Sequence, residues 1–166
     1  LQQLKLKTLP KVTILCPENP NIKAIVSNAI ENLNGNLGFY FNMEPVPDGV
    51  LKSRVASVSY QVALVPISVE SPFAIDFLNA FKSGNSKNIA NLNSPEYDKL
   101  INSAASANAK DAYKPIVAAE KYLIDNAVFY PMYTQSRFFA WSNKVKGLIF
   151  HNYGQGVDFF FATKTK

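Results

Sequence analysis

The apolar positions near the start of the chain predict a buried strand followed by an amphipathic helix. Residues 12–16 form a continuous run of β-prone apolar side chains, which is typical of a strand covered on both faces. Apolar side chains then recur at helical spacing over residues 22–33, so that they share one face. We expect Asn21 to cap this helix and residues 34–36, which tolerate a left-handed conformation, to end it.

Three further elements continue this alternation. A second strand is expected at 39–43, closed by Pro45 and Pro47, then a second helix at 50–58 and a third strand at 61–65. Helical connections between successive strands imply right-handed crossovers and parallel neighbours. The sequence therefore predicts an α/β fold of βαβαβ order, with a mainly parallel sheet flanked by helices.

The second half of the chain is expected to be more helical before it returns to strands. Apolar spacing and capping residues predict helices at 75–81, from Ser94 and Pro95 to residue 105, and at 111–125. Runs of β-prone residues predict strands at 128–133, 137–141 and 157–161. Pro131 makes the first of these an expected edge strand, because proline cannot donate to a sheet ladder.

Composition narrows the class of protein. The chain has 166 residues, enough for one domain, and it is 48% hydrophobic and 17% charged, which excludes a disordered chain. The single cysteine, Cys16, excludes an internal disulfide framework. The single histidine, His151, excludes a histidine-rich metal site. We therefore expect no metal and no cofactor.

The charge is concentrated at the two ends of the chain. The formal net charge is +5, which taken alone suggests a nucleic-acid or membrane-surface partner. Residues 1–11 and 137–166 together hold eight basic residues and one acidic residue, so residues 12–136 carry a net charge of −2. The nearly neutral body argues against nucleic acid as a partner.

No catalytic motif emerges from the sequence. Cys16 and His151 leave open a hydrolase with a cysteine nucleophile, but a cysteine at a strand end is more often a small buried apolar residue. No apolar run approaches the roughly 18 residues of a membrane span, and the start of the chain lacks the order of a signal peptide. The chain is therefore expected to be either cytosolic or a piece of a protein whose targeting signal lies elsewhere.

Aromatic residues are abundant and clustered. They make up 13% of the chain and gather at residues 39–41, 129–133, 138–141 and 159–161. We expect most of these rings to lie in the core and a minority to line an apolar ligand surface or an interface.

The loops after the strands are the expected ligand-binding positions. In open α/β sheets ligands bind beyond the carboxyl ends of the strands, which selects residues 17–20, a turn beginning at Glu44, and residues 66–71. The last of these loops offers backbone amides, a hydroxyl and one carboxylate. The residues expected to bind ligand are Val65, Pro66, Ile67, Ser68, Val69 and Glu70.

Several segments of the second half resemble a known family in their order and spacing. They are Phe77–Asn79, Asn93–Ile101, Ala119–Asp125, Val128–Tyr133 and Trp141–Gly147, preceded by Leu9 and Pro10 ahead of the first strand. Together they resemble the oligopeptide- and dipeptide-binding proteins of ABC importers, which form family 5 of the extracellular solute-binding proteins. The resemblance covers nearly the whole chain from Leu9 onward.

The resemblance implies the C-terminal lobe of a longer, two-lobed protein with the type II periplasmic-binding-protein fold. Residues 1–166 would form a single domain, with residues 1–11 and 145–166 near the crossings to the missing N-terminal lobe. The implied function is capture of peptides or a related solute outside the cell and delivery to a membrane permease, without catalysis. A signal peptide and a lipid anchor would then lie outside this chain, in a periplasmic or cell-surface lipoprotein.

The sequence departs from the family at one position. Peptide binders of this family carry an aspartate after the third strand, where it pairs with the α-amino group of the peptide. Ser68 stands at that position here, and Glu70 lies two residues further on. The neutral serine forfeits a charge-assisted bond unless Glu70 substitutes for it. The alternative to a solute-binding lobe is a free-standing protein-interaction domain that uses an aromatic surface.

Overall fold

The computed structural model describes residues 10–165 except 39, 69, 109, 135, 137 and 155. Its contacts divide the chain into two compact units, Leu1–Ile67 and Ser68–Lys166. The interpretation of residues 1–166 as one lobe stays a prediction.

The first unit contains the predicted parallel sheet. Its strands are β1 (Val12–Pro17), β2 (Phe41–Val46) and β3 (Val62–Ala63), in the order β2-β1-β3. All six residues of β1 pair with β2, whereas only Ile14 and Leu15 pair with β3. Both pairings are parallel, which confirms the predicted α/β fold with a mainly parallel sheet.

The first helix, α1 (Pro20–Leu37), is longer than predicted at both ends. Its N-cap is Asn19 rather than Asn21, because the Asn19 side chain accepts from the backbone N–H groups of Asn21 and Ile22. The helix also continues through residues 34–36 and ends before Gly38, which has a φ of 105°. A glycine adopts that conformation without the steric cost that a side chain would bring.

The second strand ends three residues later than predicted, at Val46, because Pro45 is part of the strand and does not close it. Pro45 faces Cys16 in the register, on the strand at the edge of the sheet. A proline is tolerated there because an edge strand has one unpaired side. Phe39, the predicted first residue of this strand, lies outside the described residues. The second helix, α2 (Asp48–Ala56), begins two residues earlier than predicted.

Apolar side chains from β1, α1, β2 and α2 form the core of the first unit. The buried residues are Leu15, Cys16, Val26, Val46, Leu51 and Val55.

The second unit begins with a helical cluster, a name used here for residues 74–129. Its helices are α3 (Ala74–Asn79), α4 (Pro95–Ser106) and α5 (Tyr113–Asp125). The predicted cap of α4 is confirmed, since Ser94 Oγ accepts from the N–H of Tyr97 at 3.1 Å and Pro95 opens the helix. The buried core of this cluster consists of Leu78, Phe81, Tyr97, Ile101, Ala119 and Leu123.

The remaining segment, residues 130–165, is called the C-terminal region here. It holds two antiparallel ladders, each of two-residue strands. In the first, β4 (Val145–Lys146) pairs with β7 (Thr163–Lys164); in the second, β5 (Ile149–Phe150) pairs with β6 (Val157–Asp158). Gly147, with a φ of 76°, joins β4 to β5, and a Cβ there would overlap the carbonyl oxygen of Phe161.

The strands predicted at 128–133 and 137–141 are wrong. Residues 128–134, 136 and 138–141 form no strand, while Gln135 and Arg137 lie outside the described residues. A β-prone run becomes a strand only where another strand offers hydrogen-bonding partners, and these segments have none within the described chain. The strand predicted at 157–161 is reduced to Val157–Asp158 for the same reason. Among the described residues, no helix is both long and apolar enough to span a membrane.

Candidate functional site

The loop after β3 leaves the sheet where the sequence predicts ligand-binding residues. Leu64, the residue after β3, is still bonded to β1, because its N–H donates to the carbonyl of Leu15 at 2.8 Å. Val65 is half-buried, and Pro66 and Ile67 are exposed. The first unit therefore presents the first part of this loop to solvent at the carboxyl end of a parallel strand, where ligands of open α/β sheets bind.

The boundary between the two units falls inside the predicted set. Ser68 and Glu70 belong to the second unit and are both exposed, and Val69 lies outside the described residues. The role of these residues in ligand binding stays a prediction.

Glu70 has an ionic partner that the sequence did not reveal. Its Oε2 lies 3.1 Å from Nζ of Lys87, and the two side chains are 70% and 69% exposed. Lys87 follows 17 positions later in the connection between α3 and α4, and no periodicity or motif links the two residues. Such a contact depends on the path of the connection, which only the structure supplies.

The connection that carries Lys87 is fixed by asparagine side chains. Asn85 accepts from the N–H of Lys87 at 2.9 Å and donates to the carbonyl of Asn79 at the same distance. Asn88 donates to the carbonyls of Lys82 and Leu92 and accepts from the N–H of Leu92. These local bonds replace a regular ladder and determine where the backbone of Lys87 lies.

The loop after the first strand makes local hydrogen bonds, and its role in ligand binding stays a prediction. After β1, the N–H of Glu18 donates to the carbonyl of Val46 at 2.8 Å, and Asn19 caps α1. The predicted turn at Glu44 is wrong, because this residue lies within β2 opposite Leu15. Its carboxylate pairs with Arg54 of α2 at 2.5 Å. The arginine neutralises the charge of this partly buried carboxylate.

A polar cleft lies beside this ion pair in the first unit. Its volume is about 420 Å³, and its lining consists of Thr13, Leu15, Glu44, Arg54, Ser59, Tyr60 and Gln61. Gln61 accepts from the N–H of Thr13 and donates to the carbonyl of Lys11, and Arg54 also donates to the carbonyl of Ser59. Several polar groups of the cleft are therefore already bonded within the first unit.

The structure argues against a cysteine nucleophile. Cys16 is fully buried, and burial raises the pKa of its thiol, an effect that the charge of Lys23 only partly offsets. A thiol whose pKa is raised stays protonated near neutral pH and is not a nucleophile. His151 is exposed in the second unit. The described part of the chain also contains no group of three histidine, cysteine or acidic residues that could hold a metal ion.

The expectation that most clustered aromatic rings are buried is wrong for the C-terminal region. Ten of its rings are exposed and are called the exposed aromatic set here. They are Tyr130, Tyr133, Phe138, Phe139, Trp141, Phe150, Tyr153, Phe159, Phe160 and Phe161. Clustered exposed apolar side chains often mark a contact surface, and these rings are candidates for one.

Some rings of this set contact each other and still remain exposed. The ring centroids of Trp141 and Phe150 are 4.8 Å apart, and those of Phe139 and Phe150 are 5.7 Å apart. Phe160 and Phe161 meet edge to face at 4.9 Å. Phe138 is 92% exposed although the aromatic residues Phe139 and Trp141 lie close to it in the sequence.

No protein-family model matches the chain. It is similar to the dipeptide-binding protein DppE of Bacillus subtilis, with 27% identity over 157 residues that cover 94% of this chain and 29% of that protein. It is also similar to a probable D,D-dipeptide-binding periplasmic protein, DdpA, of Escherichia coli, with 25% identity over 84% of this chain and 28% of that protein.

A solved structure gives the same fold. The substrate-binding domain of an oligopeptide ABC transporter from Bacillus anthracis matches with a TM-score of 0.80 and 20% identity, over 99% of this chain and 33% of that one. These comparisons confirm the resemblance and give no support to a free-standing protein-interaction domain. This chain, which spans less than a third of the length of the curated proteins it matches, is therefore related to dipeptide-binding proteins and to the peptide-binding protein of a peptide ABC transporter.

Proposed function

We propose that this chain is one lobe of the solute-binding component of an ABC importer, which captures peptides or a related solute outside the cell. The observation that carries the proposal is the similarity to a dipeptide-binding protein over 94% of this chain. The parallel sheet, with an exposed loop at the carboxyl end of β3, supports it because open sheets bind ligands there.

The ligand would contact the loop formed by Val65, Pro66, Ile67, Ser68, Val69 and Glu70. Ser68 and Glu70 supply a hydroxyl and a carboxylate, and the loop also supplies backbone groups, which suit the polar main chain of a peptide. No step of this proposal requires catalysis, a metal or a cofactor, since capture and release need only reversible binding.

A second lobe would complete the site and cover the exposed aromatic set. Phe138 and Phe160 are 92% and 82% exposed, which is costly for a surface that stays in water. Ligand would then be held by closure of two lobes about a hinge. Residues 145–166, which include much of the exposed aromatic set, would lie near the crossings between the lobes.

Delivery of the ligand would need a membrane permease as partner and an extracytoplasmic location. The signal peptide and lipid anchor that such a location requires are proposed to lie outside this chain. The matched Escherichia coli protein is described as periplasmic, which supports the location.

Titration calorimetry on two proteins tests the proposal. We expect the full-length product of the reading frame that encodes this chain to bind short peptides, and the 166-residue chain alone to bind them far more weakly. The physical reason is that half of the contacts would come from the other lobe, while the cost of immobilising the peptide is unchanged.

A control keeps the two proteins comparable. Circular dichroism and a cooperative urea transition must show that the isolated chain is folded under the conditions of the titration. Equal affinity of the isolated chain and the full-length product would contradict a shared two-lobe site. Absence of peptide binding by the full-length product would contradict the proposed function itself.

A further inference from the structure

The carboxylate of Glu70 is the single charged group of its loop. From Leu64 to Phe73 every other side chain is neutral, so this carboxylate alone can attract a cationic ligand group there. In the structure it is already in an ion pair with Lys87, at 3.1 Å. The charge of the loop is therefore balanced by a lysine of the connection between α3 and α4.

The counter-ion is presented by an ordered segment. The backbone N–H of Lys87 is bound by Asn85, whose amide group is tied in turn to the carbonyl of Asn79 at the end of α3. The lysine backbone is thus held in place, and only its side chain must move to expose the carboxylate. The fold of this connection therefore places the side chain of Lys87 within contact distance of Glu70.

We propose that Lys87 is a specificity-determining residue of the ligand loop, which disfavours a peptide with a charged amino terminus and leaves a peptide with an uncharged amino terminus unaffected. This inference rests on the proposed function. A ligand ammonium group must displace the lysine to reach Glu70, whereas an acylated amino terminus has no such need. Ser68, being neutral, offers the ligand ammonium group no second anion.

The size of the effect follows from the exposure of the pair. An ion pair with both side chains about 70% exposed is weak, so its loss changes the affinity for a cationic group by about two- to fivefold. The effect grows at low ionic strength, where screening between exposed charges is reduced.

The test compares trialanine with N-acetyl-trialanine by titration calorimetry on the full-length product of the reading frame, at low salt. In Lys87→Ala we expect the affinity for trialanine to rise about two- to fivefold relative to that for the acetylated peptide. In the double variant Lys87→Ala with Glu70→Gln this gain is expected to vanish, because the carboxylate that Lys87 shields is gone.

A matched control is available on α5. Lys121 forms an ion pair with Asp125 at 2.7 Å, and its side chain is 73% exposed, so Lys121→Ala makes the same change in net charge outside the loop. The ratio of the two affinities is expected to stay at its wild-type value in this control. A similar shift in Lys121→Ala would assign the effect to net charge and overturn the inference.

The outcomes separate the inference from the function on which it rests. Peptide binding with an unchanged ratio in Lys87→Ala overturns the inference alone. A wild-type preference for trialanine above about tenfold that is lost in Glu70→Gln also overturns it, because the carboxylate would then already serve the ligand. Failure of wild type and all variants to bind either peptide contradicts the proposed function, and the inference falls with it.

Discussion

The helical cluster buries most of its aromatic side chains fully or in part, whereas the C-terminal region exposes its own. Phe81 and Tyr97 of the helical cluster are 2% and 0% exposed. Phe138 and Phe160 of the C-terminal region are 92% and 82% exposed. The C-terminal region is also the richer in rings, with ten in residues 130–165 against six in residues 74–129, so a higher aromatic content does not bring a deeper burial.

The difference lies in what surrounds the rings. In the helical cluster they contact each other across elements, with 5.3 Å between the centroids of Phe81 and Phe129 and 5.7 Å between those of Tyr97 and Tyr122. The described residues of the C-terminal region form only ladders of two-residue strands, which offer no broad face to cover a ring. Burial of an aromatic side chain is therefore decided by its tertiary partners rather than by its own hydrophobicity.

The largest expected effect comes from truncating one tyrosine in each region. Tyr97→Ala should lower the free energy of unfolding by about 3–5 kcal/mol, because it leaves a cavity in the core. Its hydroxyl also donates to the carbonyl of Leu78 at 2.7 Å, and that acceptor would lose its partner. Tyr130→Ala, at a side chain that is 76% exposed, should change the same quantity by less than about 0.5 kcal/mol. Urea unfolding followed by circular dichroism measures both.

If Tyr97→Ala does not fold, a milder variant at the same position can be measured instead. Tyr97→Phe keeps the ring and removes only the hydroxyl, at an expected cost of about 1–2 kcal/mol. If Tyr130→Ala were as costly as Tyr97→Ala, the C-terminal region would have a core of its own and the contrast between the regions would collapse.

A pair of serines sharpens the comparison at the level of one hydrogen bond. Ser94 Oγ caps α4 and lies 3.0 Å from the hydroxyl of Tyr122, in a site only 8% exposed. Ser94→Ala should therefore cost about 1–2 kcal/mol of unfolding free energy. Ser142 in the C-terminal region accepts from the N–H of Lys144 at 3.3 Å but is exposed, so water can replace its hydroxyl and Ser142→Ala should cost less than about 0.5 kcal/mol. Equal costs in the same urea measurement would contradict this difference in burial.

The elements that the sequence predicted correctly are those with local signals. The run at 12–16, the helical period after it and the Ser94–Pro95 cap each depend on neighbours within a few positions. The strands predicted at 128–133 and 137–141 failed because strand formation depends on a distant partner, which β-propensity does not specify. The cap of α1 was misplaced by two residues because Asn19 and Asn21 are equally suited by type.

The candidate site shows the same limit. The position of the loop after β3 followed from strand order and from the rule for open sheets. The pair of Glu70 with Lys87, and that of Glu44 with Arg54, did not follow from it. Each depends on how a connection or a helix returns to the strand or loop, at separations of 17 and 10 positions without a periodic signal.

The smallest expected effect concerns the single tryptophan. Trp141 is 54% exposed although its ring lies 4.8 Å from that of Phe150, so in the isolated chain its fluorescence should be quenched by acrylamide nearly as strongly as in urea. Trp141→Phe, which removes the signal of this chain, identifies the contribution of Trp141 within the full-length product. If a second lobe covers the exposed aromatic set, the fluorescence of Trp141 should be shielded from acrylamide in the full-length product. It should not be shielded in the isolated chain. Strong quenching in both would leave the rings uncovered and would contradict the lobe–lobe surface. Shielding already in the isolated chain would mean that the C-terminal region buries its own rings, and the contrast with the helical cluster would be lost.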